Sequence, residues 1–471
     1  VTLSSQSKKI VQLHIMHSWG GGLERWVHDY SSVDQERINL VLKSVGVPGT
    51  PGQRIALYQD ISAPEPIKIW ELSPYIYNTA IAHLEYCYLI EEIIEQYQVS
   101  AILVSSLIGH SLDILNTGIK TIIIFHDYYP FCPAINIYFH QICSRCTIDD
   151  LKQCSESNPY NRFLTISSPE NWGKLRFYFQ SFIIQNKIPL VAPSQSVEKH
   201  LISLDSKFKS ATFVIIPHGI NFKKSYPYIP TQKYKSKLKI VILGNLSLHK
   251  GFYLLKKVAP QVADIADFLL LGYGEEGSQL TEIKGIYPVA KTYRRENLPK
   301  KIEKLAPDLG LLLSVWPETF NYTLSELMMM AIPTMTTDVG SFSERIKDQV
   351  NGFLVPPQEA AIIAKIREIY QKQEMIWQVA EKLKSQSHKS LEEMREDYEE
   401  VLKSQQTEKL HISREINLVE RLSLPLKSSN SHSEEAVALK QQIEAMESSK
   451  FWKLRKAWFQ LKKAIGLPIK E

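Results

Sequence analysis

Apolar positions along the chain keep two alternating rhythms. From residue 8 to 220, short, nearly unbroken apolar runs ("KIVQLHIM", "INLVLKSV", "SAILVSSLIG", "KTIIIFHD", "IPLVAPS", "TFVIIPHG") are separated by stretches such as "LERWVHDYSSV", whose apolar residues recur at helical spacing. Runs of that length read as strands buried on both faces, and their alternation with helices predicts a parallel sheet covered on each side. A second series runs from 237 to 385 ("KLKIVILGN", "DFLLLGYG", "PDLGLLLSV", "IPTMTTD", "GFLVPP"). The pattern predicts an α/β protein of two Rossmann-like, doubly wound domains.

Between the two series, "FKKSYPYIPTQKYKSK" (222 to 237) is polar, basic and Pro-containing, as a linker should be. Residues 386–404 form a helical pattern expected to return to the first domain. Residues 405–432 lack periodicity and read as a linker, and 433–466 read as an amphipathic helix. Ligand sites in open α/β sheets lie at the carboxyl ends of strands, so a cleft between the two domains is the expected site.

A chain of 471 residues has room for two or three domains, and a net charge of +5 over that length does not by itself imply a nucleic-acid partner. No apolar run is long enough to span a bilayer and the start, "VTLSSQSKKI", has no apolar leader. Five cysteines, an odd count, suit a reducing compartment, so a cytoplasmic location is expected.

Three strand ends are rich in glycine. "HSWGGGLERW" places Gly20, Gly21 and Gly22 between a strand and a helix, letting backbone amides approach a ligand at the positive end of that helix. "GNLSLHKG" does the same with Gly244, Asn245 and Lys250, and "LGYGEEG" with Gly272 and Gly274. Each alone signals only a tight turn. Downstream, "PETFNYTLSELMMMAIP" (317 to 333) follows a buried strand, turns sharply at Pro317 and opens a helix flanked by Glu318 and Glu326.

In this order, with "IPHGINF" at the domain junction, these segments resemble a family 4-like retaining glycosyltransferase of the GT-B fold. The resemblance covers residues 8 to 405 and is densest from 308 to 357. It implies a nucleotide-sugar donor and no cofactor required for catalysis. Glu318 and Glu326 match the family's E-x7-E motif: Glu326 would accept hydrogen bonds from the ribose hydroxyls, and Glu318 would face the donor sugar. Tyr322, Thr323, Leu324 and Ser325 then present free amides at a helix N-terminus, an anion site for the diphosphate. A capped surface helix is the alternative for that segment.

By the same resemblance Lys250 would neutralise the leaving phosphate, and His126, in "IIIFHDYYP", would orient the donor sugar. The catalytic set is therefore His126, Glu318 and Lys250, with solvated-lysine and structural-histidine readings as the alternatives. Many relatives carry Arg where this chain has Asn245, so a second diphosphate cation is missing or comes from elsewhere. Glu24 and Arg25 are assigned with Gly20–Gly22 to the acceptor side of the cleft, although charge pairing at a helix start explains them equally. Glu344 and Arg345 either close the donor pocket or pair at a helix start.

The insertion 127–157 holds Cys132, Cys143, Cys146 and Cys154 in a C-x10-C-x2-C-x7-C arrangement. One C-x-x-C knuckle and two outlying thiols have the ligand types of a structural zinc site; reduced cysteines packed in the insertion are the alternative. In the tail, residues 448–466, Phe451, Leu454, Trp458, Leu461 and Ile465 form one apolar stripe among lysines and arginines. That pattern suits a helix on an anionic membrane surface, with docking on the protein's own body as the alternative.

The functional expectation is hexose transfer from a UDP-, GDP- or ADP-sugar to a saccharide or lipid-linked acceptor in cell-surface polysaccharide assembly. A nucleotide-sugar epimerase and a catalytically silent membrane-associated scaffold are the rivals. A nicotinamide dehydrogenase lacks support, because "GGGLERW" does not have the dinucleotide spacing.

Overall fold

A computed structural model describes residues 10–46, 54–161, 163–164, 167–221 and 233–405. The basic linker from 222 to 232, nearly all of the 405–432 segment, the 433–466 helix and its membrane-surface stretch lie outside the described residues.

The first domain is built on strands β1 (Ile10–His17), β2 (Arg37–Val45), β3 (Arg54–Tyr58), β4 (Lys68–Glu71), β5 (Val99–Val104), β6 (Lys120–Ile124), β7 (Leu190–Ala192) and β8 (Phe213–Ile215). They form one sheet in the order β8-β7-β6-β5-β1-β2-β3-β4. Pairing is parallel from β8 to β2, while β3 and β4 add an antiparallel edge. The apolar runs predict the parallel strands but not this hairpin. Its strands "RIALY" and "KIWE" are short, and the outer one is largely exposed and flanked by charge, which keeps a sheet edge from pairing with other chains.

The second domain holds β9 (Leu238–Leu243), β10 (Ala266–Leu271), β11 (Ile286–Ala290), β12 (Leu309–Leu312), β13 (Thr334–Thr337) and β14 (Phe353–Val355). Their order is β11-β10-β9-β12-β13-β14, all parallel. Here β11 is the strand without an apolar run: Tyr287 and Val289 are exposed and Pro288 interrupts it, as an edge strand tolerates.

Four helices position the site: α1 (Gly22–Val33), α2 (Gln195–Leu204), α3 (Tyr322–Met329) and α4 (Leu391–Ser404). The last crosses back onto the first domain. Ser390 and Glu393 close its start with a capping box, and its Leu391, Met394, Tyr398, Val401 and Leu402 share one core with Trp26, Tyr30, Leu103 and Ile122. Trp26 and Tyr30 of α1 lie 5.2 and 5.5 Å from the Tyr398 ring. At the crossing, Ile220 N–H donates to Lys389 O at 3.0 Å, and a Cβ on Gly219 would stand 2.2 Å from Ser390 O. Only glycine lets the two passing segments approach so closely. Among the described residues no helix is long and apolar enough to cross a membrane.

Candidate functional site

The carboxyl end of β12 feeds the turn that carries Glu318. Gly340, at φ +57°, packs its backbone against that turn, where a Cβ would stand 2.6 Å from both Glu318 N and Glu318 O. Ser341 N–H donates to Glu318 O at 2.8 Å, fixing the loop from behind. Asn321 then caps α3: its side chain accepts from Leu324 N–H at 2.8 Å with its own φ at +70°. The loop is held further by Arg345, which donates to Asn321 O at 3.0 Å and to Phe320 O and Ser325 Oγ, its guanidinium 4.2 Å from the Phe320 ring. Burial lowers the Arg345 pKa to about 10, so it remains a cation. Glu344, beside it, accepts from Gln195 N–H at 2.9 Å, so the acid that sequence pairs with Arg345 instead bonds the start of α2 in the other domain.

Glu318 Oε1 accepts from Ser314 Oγ and is paired with Lys250 Nζ. Lys250 is placed by Gly251, whose φ of +89° and close approach to Leu313 (a Cβ would stand 2.3 Å from its Cβ) suit only glycine. Asn245 is exposed and rests on Gly274, where an added Cβ would meet Asn245 Oδ1 at 2.0 Å. Gly272, across the same strand ends, leaves room for Tyr293.

The first domain supplies the facing wall. Gly20 and Gly21 take φ of +77° and +83°, turning the chain from β1 into α1. His126 sits beyond β6 with Nε2 3.3 Å from Ser105 Oγ, packed among Trp26 and His218 rings 5.4 and 5.3 Å away. Enclosure lowers its pKa to about 3, so it acts as a neutral imidazole; the same desolvation raises Asp127 to about 7.

These groups meet in one cavity of about 480 Å³, lined from the first domain by Gly20–Gly22, Arg25, His126, Asp127 and His218, and from the second by Lys250, Glu318 and the Thr319–Thr323 turn. The size is that of a small-ligand site. His126, Glu318 and Lys250 are thus brought together with the amides of Tyr322 and Thr323. Leu324, Ser325 and Glu326 lie buried one turn further along α3, and Asn245, Gly272 and Gly274 lie at neighbouring strand ends of the same domain.

Arg25, assigned from sequence to the acceptor side of the cleft, lines the cavity, and its Nη1 donates to Glu326 Oε1 at 2.9 Å, across the two domains. Glu24, assigned with it to that side, is 3.4 Å from Lys43 Nζ. Arg295, which the sequence motifs do not single out, approaches Glu326 Oε1 at 3.1 Å through Nε and Asp29 Oδ2 at 3.5 Å through Nη1. Asp29 carries no sequence motif, and His218 lies in "IPHGINF" without a role assigned to it; His218 stacks on Tyr322 at 5.5 Å and 18°.

Cys132, Cys143, Cys146 and Cys154 line one pocket, yet among the described residues no three His, Cys, Asp or Glu side chains are arranged to hold a metal ion. Separate protein donors occupy the sulfurs: Ile137 N–H on Cys132 at 3.3 Å, Arg176 Nη2 on Cys146 at 3.1 Å and Asn158 Nδ2 on Cys154 at 3.2 Å. Burial pushes the Cys132 and Cys143 thiols up to about 12, favouring protonated, packing side chains.

Residues 237–372, the core of the second domain, match the family described as Glycosyl transferases group 1. No curated protein matches the chain. Among solved structures it is similar to a glycosyltransferase from Rickettsia africae (TM-score 0.57, 16% identity, covering 84% of this chain and 100% of that one). It is also similar to Anabaena HepE in complex with UDP (0.55, 15%, 84% and 100%) and to sucrose-phosphate synthase from Thermosynechococcus elongatus (0.54, 14%, 84% and 98%). The architecture is the two-domain GT-B fold.

Proposed function

We propose that this protein is a retaining, metal-independent glycosyltransferase that moves a hexose-type sugar from a nucleotide-sugar to a saccharide or lipid-linked acceptor in cell-surface polysaccharide assembly. One observation carries the reading: Glu318, Lys250 and the α3 N-terminus of the second domain share a single cavity with His126 and the glycine turn of the first, and Glu326 lies buried one turn further along that helix. The family match over 237–372 and the UDP complex of HepE support a nucleotide-sugar as the donor.

In this arrangement the ribose hydroxyls bond Glu326, and the diphosphate rests on the Tyr322 and Thr323 amides. Lys250 neutralises charge on the leaving phosphate as the glycosidic bond breaks, with an effect that grows as water is excluded. Neutral His126 orients the sugar, and Glu318, already bonded to Ser314, holds Lys250 and faces a sugar hydroxyl. The acceptor enters over Gly20–Gly22. Its hydroxyl attacks the anomeric carbon from the face the phosphate leaves, and its proton passes to that phosphate. The basic, aromatic stretch 448–466 would hold the enzyme at an anionic membrane where a lipid-linked acceptor resides.

The test is a panel of nucleotide-sugars with the purified protein, followed by release of nucleoside diphosphate with and without chelator, and product NMR for anomeric configuration. Chelator-insensitive turnover of one donor with retained configuration and transfer to an acceptor supports the reading. Epimerised donor as the product would replace it with the epimerase, and failure to bind any nucleotide would leave the scaffold.

A further inference from the structure

A diphosphate held away from bulk water is stabilised by more than one positive donor. The second domain's strand ends bring Lys250 to the cavity, while Asn245 is uncharged and lies against Gly274. A guanidinium reaches the same cavity from the other domain. Arg25, in the first turn of α1, lines it beside Lys250 and the Asn321–Thr323 turn. Its Cζ lies 3.9 Å from the Tyr322 ring centroid, so one face is fixed by an aromatic of the anion-binding turn itself. Nη1 is on Glu326, and Nε is 3.5 Å from Asp29 Oδ2. Nη2 is buried and has no protein acceptor. The side chain as a whole is 20% accessible and lines the cavity, so a small rotation of the guanidinium brings this unpartnered N–H to an incoming anion.

We propose that Arg25 is the second cation of the diphosphate site, an inference that rests on the donor-site reading above. When the ribose hydroxyls engage Glu326, Nη1 is released, and Nη1 and Nη2 together form a two-pronged donor to phosphate oxygens resting on the α3 N-terminus. Arg295, 3.1 Å from Glu326 through Nε, remains to hold that carboxylate. Because Arg25 comes from the first domain, the donor is gripped fully only when the two domains face each other as they do here. Asn245 is tolerated because the charge arrives from across the cleft.

The test compares each nucleoside diphosphate (UDP, GDP, ADP) with its parent nucleoside, by calorimetry and ligand-observed NMR competition on the full chain. For the base that the unsubstituted protein prefers, Arg25→Ala weakens the diphosphate about 10- to 100-fold and leaves the nucleoside within about twofold. Arg25→Lys recovers part of the loss, and Asn245→Arg added to Arg25→Ala restores much of it by supplying the charge locally. Thermal unfolding of each variant separates a folding defect from a binding one. Unchanged or tighter diphosphate binding in Arg25→Ala would overturn the inference, reducing Arg25 to a partner of Glu326. Equal weakening of nucleoside and diphosphate would overturn it too, since Arg25 would then only position the ribose acid. If the unsubstituted protein binds none of the nucleotides, the donor-site reading itself falls, a result distinct from either.

Discussion

Thr319 Oγ1, on the second domain's loop, donates to the backbone carbonyl of His126, on the first, at 2.8 Å. The carbonyl of the same Thr319 accepts from Ser194 Oγ, also at 2.8 Å. One residue therefore bonds the 318–323 loop to two strand ends of the facing domain. Thr319→Val keeps the shape and removes the hydroxyl. We expect donor KM to rise about 3- to 10-fold, the worth of one net hydrogen bond, with Tm nearly unchanged. A donor titration checks this; an unchanged KM would make the bond incidental to closure.

Replacing the two acids should separate their roles. Glu326→Gln removes the charge that meets Arg25 and Arg295 and weakens the ribose acceptor, so kcat/KM is expected to fall at least about 100-fold. Glu318→Gln frees Lys250 and disturbs the sugar, so its loss should appear chiefly in kcat. Steady-state kinetics on the preferred donor distinguish the two, and equal KM effects would contradict the assignment.

Gly340 is the brace behind the Glu318 loop. Alanine there has to hold φ near +57° and displace the Glu318 backbone, costing about 1–3 kcal/mol by the usual scale of local strain. Denaturant unfolding should show that loss, and turnover should drop further than stability does, because the displaced group is the loop itself.

Stability should fall in mild acid. Burial lowers His14, His17 and His110 to about 4 and His126 to about 3. Below about pH 6.5 the unfolded chain takes up protons that the folded chain refuses, so this contribution is complete above 6.5 and is lost as pH falls toward 4 and 3. Asp127, raised from 3.8 to about 7, has the opposite sign: its contribution is complete below 3.8 and is lost as pH rises through 7. Denaturant titrations from pH 8 to 4 should show the histidine loss dominating, a shallower slope in His14→Gln, and a gain at pH 8 in Asp127→Asn.

The parallel strands were legible because burial on both faces writes itself as unbroken apolar runs. The β3–β4 hairpin and β11 escaped because sheet edges are half exposed, and their residues follow neither rhythm. Glu318, Glu326 and the α3 start were legible because one turn holds them in a fixed local spacing. Arg25 was visible as a charge but its pairing with Glu326 was not, since that partner is 301 residues away and no local pattern encodes such a meeting. Asp29 is missed for the same reason, while His218 lies in a quoted segment that says nothing of its stacking on Tyr322. The cysteine spacing showed which thiols gather, but not that Arg176, Asn158 and the Ile137 amide occupy their sulfurs.

The return of α4 makes the first domain a discontinuous unit of the gene. A fragment ending at residue 221 would lack the helix that covers Trp26 and Tyr30 and would present that aromatic face to solvent. Separating the two halves therefore requires excising the middle of the chain, with residues 386–405 rejoined to, or supplied alongside, the amino-terminal piece. The two strands of chain that pass at Gly219 and Ser390 also tether the domains twice, which favours a book-like opening of the cleft over a free swivel.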